Sequence, residues 1–361
     1  MEQFICPYCF NKFNSYIPGW TGRLFGVRTS VKDKCPTCGT KFPRGLTSLS
    51  SVMIAIIGDK DTGKSNYISV LIYRIKELYQ QFGWSLIAID DETEKLYNRV
   101  FYKPLYGHNG IAYTVKATQQ AELNQDVKQP LLYTLGMSCR NKYSFRHKYK
   151  VITLAFFDTA GEDLRNQGDV NEEFYRYIYN SSGIIMLVDP TGIKGLRAKA
   201  GLKETTAASS DEMRKVFERI ARIIQVEKYK SLAARIDIPF AITLSKIDIF
   251  RENNILNETN IFKKSKHKGY VDMSEIDSIS SDIMGCISEY DTILLNATQS
   301  FKNVRFFGVS ALGEDPKEDP RTHAKPLVES TRPDPIRVED PFLWILSENN
   351  FIKTRRSNVK R

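Results

Sequence analysis

The chain has 361 residues, of which 42% are hydrophobic and 26% charged, and carries a formal net charge of +10. That length holds one large core with a small appendage, and the balance excludes a disordered chain. The longest apolar runs, such as Gly183 to Val188, have the length of strands, and no basic-then-apolar leader opens the chain. The expectation is therefore a cytoplasmic protein with no membrane span. Much of the positive charge gathers at 142–150, 263–268 and 353–361, where turns, an insertion and a terminus are expected. Solvated loops explain it as readily as an anionic partner does.

Four of the six cysteines stand in two pairs, Cys6-Pro-Tyr-Cys9 and Cys35-Pro-Thr-Cys38. Each such turn aims two thiolates at one point, and two turns supply the four ligands of tetrahedral Zn2+. A zinc ribbon over residues 1–45 is the expectation, with a pair of redox dithiols as the alternative. Four thiolates close the coordination shell, so the metal would be structural. Phe10 and Phe13 beside the first knuckle, and Gly39 and Phe42 beside the second, would give it apolar support. Between the knuckles Trp20, Arg23, Phe25, Arg28, Lys32 and Lys34 could either grip nucleic acid or simply coat the ribbon.

After a Ser/Thr-rich connector near Leu46 to Ser51, the run Val52 to Ile57 reads as a parallel strand buried on both faces. It leads directly into Gly58-Asp59-Lys60-Asp61-Thr62-Gly63-Lys64-Ser65, and then Ile68, Leu71, Ile72, Ile75 and Leu78 recur at helical spacing. Strand, glycine loop and helix in that order form a phosphate loop. Its glycines let backbone amides curl around phosphates, and the helix presents its positive end. Lys64 would contact the β- and γ-phosphates, Ser65 would place its hydroxyl on Mg2+, and Gly58, Asp61 and Gly63 complete the cradle.

A second apolar run, Val151 to Phe157, ends in Asp158-Thr159-Ala160-Gly161-Glu162. Asp158 would hold a water of the magnesium shell, and the amide of Gly161 would approach the γ-phosphate. A third, Ile238 to Leu244, ends in Ser245-Lys246-Ile247-Asp248, and a fourth, Val304 to Val309, in Ser310-Ala311-Leu312. Asp248 accepts two hydrogen bonds in a pattern that guanine supplies and adenine does not, while Lys246 lays its stem along the base. A backbone amide near Ser310 and Ala311 would meet the guanine oxygen. The cofactor expectation is therefore GTP or GDP with Mg2+, bound outside the carboxyl ends of a mostly parallel sheet in an α/β fold.

These ordered motifs resemble the translation-factor-related class of P-loop GTPases, with a Ras-like domain spanning residues 46–353 and a basic tail at 354–361. Together with the ribbon and the long segment before Asp158, the architecture resembles bacterial double-GTPase families proposed to act in conflict or antiviral defence. The resemblance implies a switch threonine that closes on magnesium, and Thr118 is preferred over Thr114. It also marks three departures. Ser245 stands where asparagine or threonine is usual, with a hydroxyl able to make a similar bond to the phosphate loop; Lys60 replaces a glycine, and Glu162 replaces a water-orienting glutamine. Glu162 and Lys60 are thus candidate catalytic groups of a slow GTPase, with Lys60 pairing with Glu162, leaning over the γ-phosphate as an internal cation, or merely pointing to solvent. A protein partner bound in a nucleotide-dependent way, or a second copy of the chain, would follow. The alternative is a guanine-nucleotide scaffold with negligible turnover that recruits through its ribbon.

The remainder reads as scaffold. Ser209 with Glu212 forms a capping box before the stripe Met213 to Ile224. Ile276, Ile279, Ile283, Ile287, Tyr290, Ile293 and Ala297 form one further stripe, with Cys286 beside it as core packing. Asp340 and Pro341 open a last helix that carries Trp344. The segments near 192–208 and 251–272 are expected as insertions, either partner surfaces or loose loops.

Overall fold

The computed structural model describes residues 3–14, 16–18, 28–31, 33–43, 46, 50–59, 62–107, 112–113, 130–140, 147–158, 172–203, 205–315, 326–327 and 332–356. Its main body is a seven-stranded sheet. In chain order the strands are β5 (Ser50–Gly58), β6 (Trp84–Ala88), β7 (Leu131–Arg140), β8 (His147–Asp158), β9 (Gly183–Val188), β10 (Phe240–Leu244) and β11 (Val304–Gly308). Labels β1 to β4 belong to the N-terminal ribbon. The order across the sheet is β11-β10-β9-β5-β8-β7-β6. The pairs from β11 to β8 are parallel, and β8-β7 and β7-β6 are antiparallel. The result is the expected mostly parallel α/β sheet, with strand order reversing at β5.

Alternation along β5 feeds two cores. Met53, Ala55 and Ile57 enter one apolar layer, while Val52, Ile54 and Ile56 enter the other, as a strand covered on both faces requires. The first layer is closed by α3 (Glu172–Tyr179), α5 (Ser210–Glu227) and α7 (Met273–Tyr290). The second is closed mainly by α1 (Lys64–Glu77) and α9 (Asp340–Glu348). Three short helices complete the set used below: α2 (Asp91–Leu96), α4 (Lys194–Lys199) and α6 (Asp248–Glu252). The capping box at Ser209 and Glu212 is present at the start of α5. Among the described residues, no helix is long and apolar enough to cross a membrane.

Three features depart from the sequence reading. Strand β6 adds an antiparallel edge where only the continuation of the first helix had been legible; Gly83, with φ of +64°, ends that helical stretch. The single stripe from Ile276 onward divides into two helices. Asp291, extended at φ −155°, accepts the Leu294 amide at 3.0 Å and so caps a new helix over Thr292–Asn296. The segments at 192–208 and 251–272 are packed into the body: Ile193, Leu196, Ile255 and Ile261 are buried. Arg337 holds the second of them through its guanidinium, donating to the carbonyls of Ile261, Asn260 and Lys263 at 2.7, 2.8 and 3.0 Å.

The N-terminal region pairs β1 (Gln3–Ile5) with β2 (Lys12–Asn14) and β3 (Tyr16–Pro18) with β4 (Arg28–Val31). Its own core is small: Phe4, Phe13, Phe42 and Leu46 surround the cysteines. Phe13 and Phe42 stack at 6.0 Å, and Phe4 meets each edge-on at 5.6 Å.

Candidate nucleotide site and zinc centre

Register brings the sequence motifs to one edge of the sheet. Ile56 pairs with Asp158, Gly58 with Leu187, Val188 with Leu244, and Leu244 with Gly308. The phosphate loop, Asp158, the Ser245-to-Asp248 turn and the Ser310 loop therefore all leave the sheet at its carboxyl end, around the point where strand order reverses. Ligands of open α/β sheets bind there.

At the centre of that edge, Gly58 is required for loop closure. A Cβ there would lie 2.6 Å from Thr62 Oγ1 and 3.1 Å from Leu187 Cβ. Thr62 in turn donates its hydroxyl to the Asp59 carbonyl at 2.8 Å. Gly63 takes φ +80° and has open space where a Cβ would stand, so the loop exposes backbone to an approaching ligand. Helix α1 begins at Lys64 with no acidic residue in its first turn, so no carboxylate of that turn opposes an anion at the positive helix end. Ser65 follows as the second helical residue. A small, mostly apolar pocket lies beside the loop, bounded by Gly58, Asp59, Thr62, Val188, Asp189 and Met213.

The base side is more closely built. Ser245 donates its amide to Val188 at 2.9 Å and its hydroxyl to the same carbonyl at 3.3 Å. The described bond of the Ser245 hydroxyl thus runs to the end of β9, and Lys60 and Asp61 of the phosphate loop lie outside the described residues. Lys246 adopts φ +53°, which turns the chain so that its ammonium reaches Asp189 Oδ2 at 2.6 Å. Asp248 opens α6 and is buried. Burial pushes its carboxyl above the ordinary value, and a hydrogen bond from the Ser310 side chain opposes this. The Ser310 hydroxyl also accepts the Gly313 amide at 2.9 Å, and Ser310 exchanges backbone bonds with Ile336 at 3.0 and 2.8 Å. Ala311 follows directly in that clamped loop.

Asp189 was missed by sequence reasoning. It accepts from the amide and hydroxyl of Thr191 at 2.9 and 2.8 Å as well as from Lys246. The available signal was an acid directly after the buried run Gly183 to Val188, the same pattern that marked Asp158. Lys60, Asp61, Thr118, Gly161 and Glu162 lie outside the described residues, and of Asp158 only the backbone position at the end of β8 is described.

The cysteines form the second site. Their ligand atoms all lie within 4.8 Å of one another. The short separations run between knuckles, Cys6 Sγ to Cys38 Sγ at 3.8 Å and Cys9 Sγ to Cys35 Sγ at 3.7 Å. Zinc–sulfur bonds of about 2.3 Å place tetrahedral sulfurs about 3.8 Å apart, so this set fits the metal. Redox dithiols would instead pair within each Cys-x-x-Cys turn. Burial pushes the Cys6 thiol far up and Cys9 to about 11; a divalent cation would reverse this and hold both as thiolates.

No family model matches the chain. A protein of Mycolicibacterium smegmatis, "Putative ESX-1 scaffolding and assembly protein SaeC", is 24% identical over 355 residues, covering 93% of this chain and 84% of that one. Among solved structures, Sup35 complexed with GMPPNP covers 75% of this chain and 40% of its own, at 11% identity and a TM-score of 0.27. The GTPase-like domain of S. cerevisiae Ski7 bound to GTP covers 85% and 52%, at 12% identity and a TM-score of 0.33. This chain thus spans about half or less of the length of those structures.

Proposed function

We propose that the chain is a guanine-nucleotide switch of the translation-factor-related class, with a Ras-like domain that binds GTP with Mg2+ and hydrolyses it slowly. The observation that carries this reading is the shared register, which sets the glycine loop with its left-handed Gly63 at the start of α1, the end of β8 and a buried Asp248 on one sheet edge. Amides of the phosphate loop and Lys64 bind the phosphates. Asp248, desolvated and backed by Ser310, accepts hydrogen bonds from the guanine edge, and Lys246, braced by Asp189, flanks the base. Ser65 and Asp158 would hold Mg2+, which would neutralise phosphate charge as the terminal bond breaks. Turnover is slow because Glu162, a carboxylate, is repelled by the γ-phosphate and donates no hydrogen bond to it.

A second reading, a scaffold that binds guanine nucleotide with negligible turnover, is favoured by the likeness to the M. smegmatis protein and its printed name. The defence setting suggested by the architecture and the assembly setting suggested by that name share one requirement, a protein contact that depends on bound nucleotide.

Titration with a fluorescent GTP analogue and measurement of phosphate release separate these readings. Binding that requires Mg2+, is competed by GTP but not ATP, and weakens about 100-fold (about 2.8 kcal/mol) in Lys64→Ala supports the nucleotide site. ATP competing as well as GTP would remove the guanine assignment. Phosphate release above the buffer rate distinguishes the enzyme from the scaffold.

A further inference from the structure

Phe10 breaks the symmetry of two otherwise matching knuckles. In one, Cys6 donates its amide to Asn11 and accepts from Phe10; in the other, Cys35 donates to Thr40 and accepts from Gly39, all at 2.9 to 3.0 Å. The residue after each second cysteine is left-handed, with φ of 58° at Phe10 and 72° at Gly39. Glycine adopts that conformation freely and phenylalanine seldom does. A side chain kept there points to a use for it.

That use lies outside the ribbon. The Phe10 ring is 1% exposed and belongs to the main apolar core, tilted against Tyr177 of α3 at 4.9 Å. The Tyr177 hydroxyl donates to the Ile54 carbonyl at 2.8 Å and accepts the Ile56 amide at 3.1 Å, on the strand that ends in Gly58. Two further bonds fix the knuckle's backbone to this helix. Arg176 Nε donates to the Cys9 carbonyl at 3.2 Å, and Asn180, just past the end of α3, donates to the Phe10 carbonyl at 2.8 Å.

The same knuckle is also attached to α2. Tyr8 donates to Asp90 Oδ2 at 3.3 Å, and the other oxygen of Asp90 caps α2 by accepting the Thr93 amide at 2.7 Å. In the chain, α3 follows the Asp158-to-Gly161 motif, and α2 precedes the segment that holds Thr118. One knuckle thus holds the helix that follows the Asp158-to-Gly161 motif, the phosphate-loop strand and the cap of α2.

We infer that the first zinc knuckle is an intramolecular reader of nucleotide state, docked through Phe10 on α3 and the phosphate-loop strand, so that its hold on the metal differs between the GDP and GTP forms. This rests on the nucleotide-switch reading above. Two ligands coupled through one docking contact must affect each other reciprocally. Zinc loading therefore shifts the GTP-to-GDP affinity ratio by the same factor by which nucleotide shifts zinc affinity.

The test uses full-length, zinc-loaded protein with Mg2+ and either GDP or a non-hydrolysable GTP analogue, with nucleotide occupancy measured in every sample. Zinc affinity is read by competition with a chromophoric chelator, and amide exchange is followed over residues 3–14. The expected result is a difference in zinc affinity of about fivefold or more between the two forms. Asn180→Ala and Phe10→Gly leave the cysteines and phosphate loop intact; each should reduce the difference below about twofold at unchanged occupancy. If Phe10→Gly misfolds, Asn180→Ala alone decides. Equal zinc affinity and equal exchange at confirmed occupancy of both nucleotides overturn the inference and leave the nucleotide site standing, as does an Asn180→Ala variant that keeps the full difference. Failure to bind either nucleotide overturns the nucleotide reading and this inference with it.

Discussion

The sheet domain buries two apolar layers against seven strands, whereas the ribbon's own core, among the described residues, is Phe4, Phe13, Phe42 and Leu46 around the cysteines. The two Cys-x-x-Cys turns gather four thiols where a structural metal would tie the ribbon together. Phe10 joins the two, since its ring lies in the larger core, with Ile5 and Tyr8 packed against the same layer.

The largest expected effect is on the metal. Structural zinc supplies on the order of 10 kcal/mol to a small ribbon. Stripping it, or making Cys6→Ser, should abolish exchange protection over residues 3–14 while a separate melting transition for the sheet persists. A single transition lost for the whole chain would show that ribbon and domain fold as one unit.

Next is a buried ion network within the larger core. Arg337 pairs with Glu275 and Asp340 at 2.9 Å each, and all three side chains are buried. Removing one partner strands buried charge, so Arg337→Ala should cost about 3–5 kcal/mol in urea unfolding. Zinc content of the folded variant should stay unchanged. A loss below about 1 kcal/mol would mean that water replaces the guanidinium.

A smaller effect is expected at the base site. Asp248→Asn reverses one hydrogen-bond partner, so GTP should weaken about 10- to 100-fold, with xanthine nucleotide gaining in a competition assay. Unchanged guanine preference would take Asp248 out of the site. Neither outcome should move the sheet's melting temperature by more than the ribbon does.

The smallest effect is a pH dependence confined to the main domain. Burial works against a charged His267, but the carboxylate of Asp340, 3.5 Å from Nε2, with Glu275 and Glu339, outweighs it and raises its pKa above the ordinary 6.5. The resulting stability is complete below pH 6.5 and fades as pH rises through the higher folded value. Unfolding free energy should fall across that window, and His267→Gln should flatten it. A wild-type profile already flat there would show that His267 is neutral in the folded chain.

The sequence by itself determined what rests on neighbours in the chain: the two Cys-x-x-Cys turns, the glycine loop between strand and helix, the acids at strand ends, and the Ser209–Glu212 cap. Each is a contiguous pattern whose physics is local, so strand runs such as Val52 to Ile57 and Ile238 to Leu244 were legible with their sites, while Gly183 to Val188 was legible as a strand without Asp189. Only the tertiary structure decided that Phe10 turns away from its own knuckle, that Lys246 pairs with Asp189, that Arg337 gathers the 260–263 carbonyls, and that Trp84–Ala88 joins the sheet as an edge. These contacts join residues far apart in the chain and carry no period. Their energy comes from burial and charge pairing, which exist only once the sheet has brought the partners together.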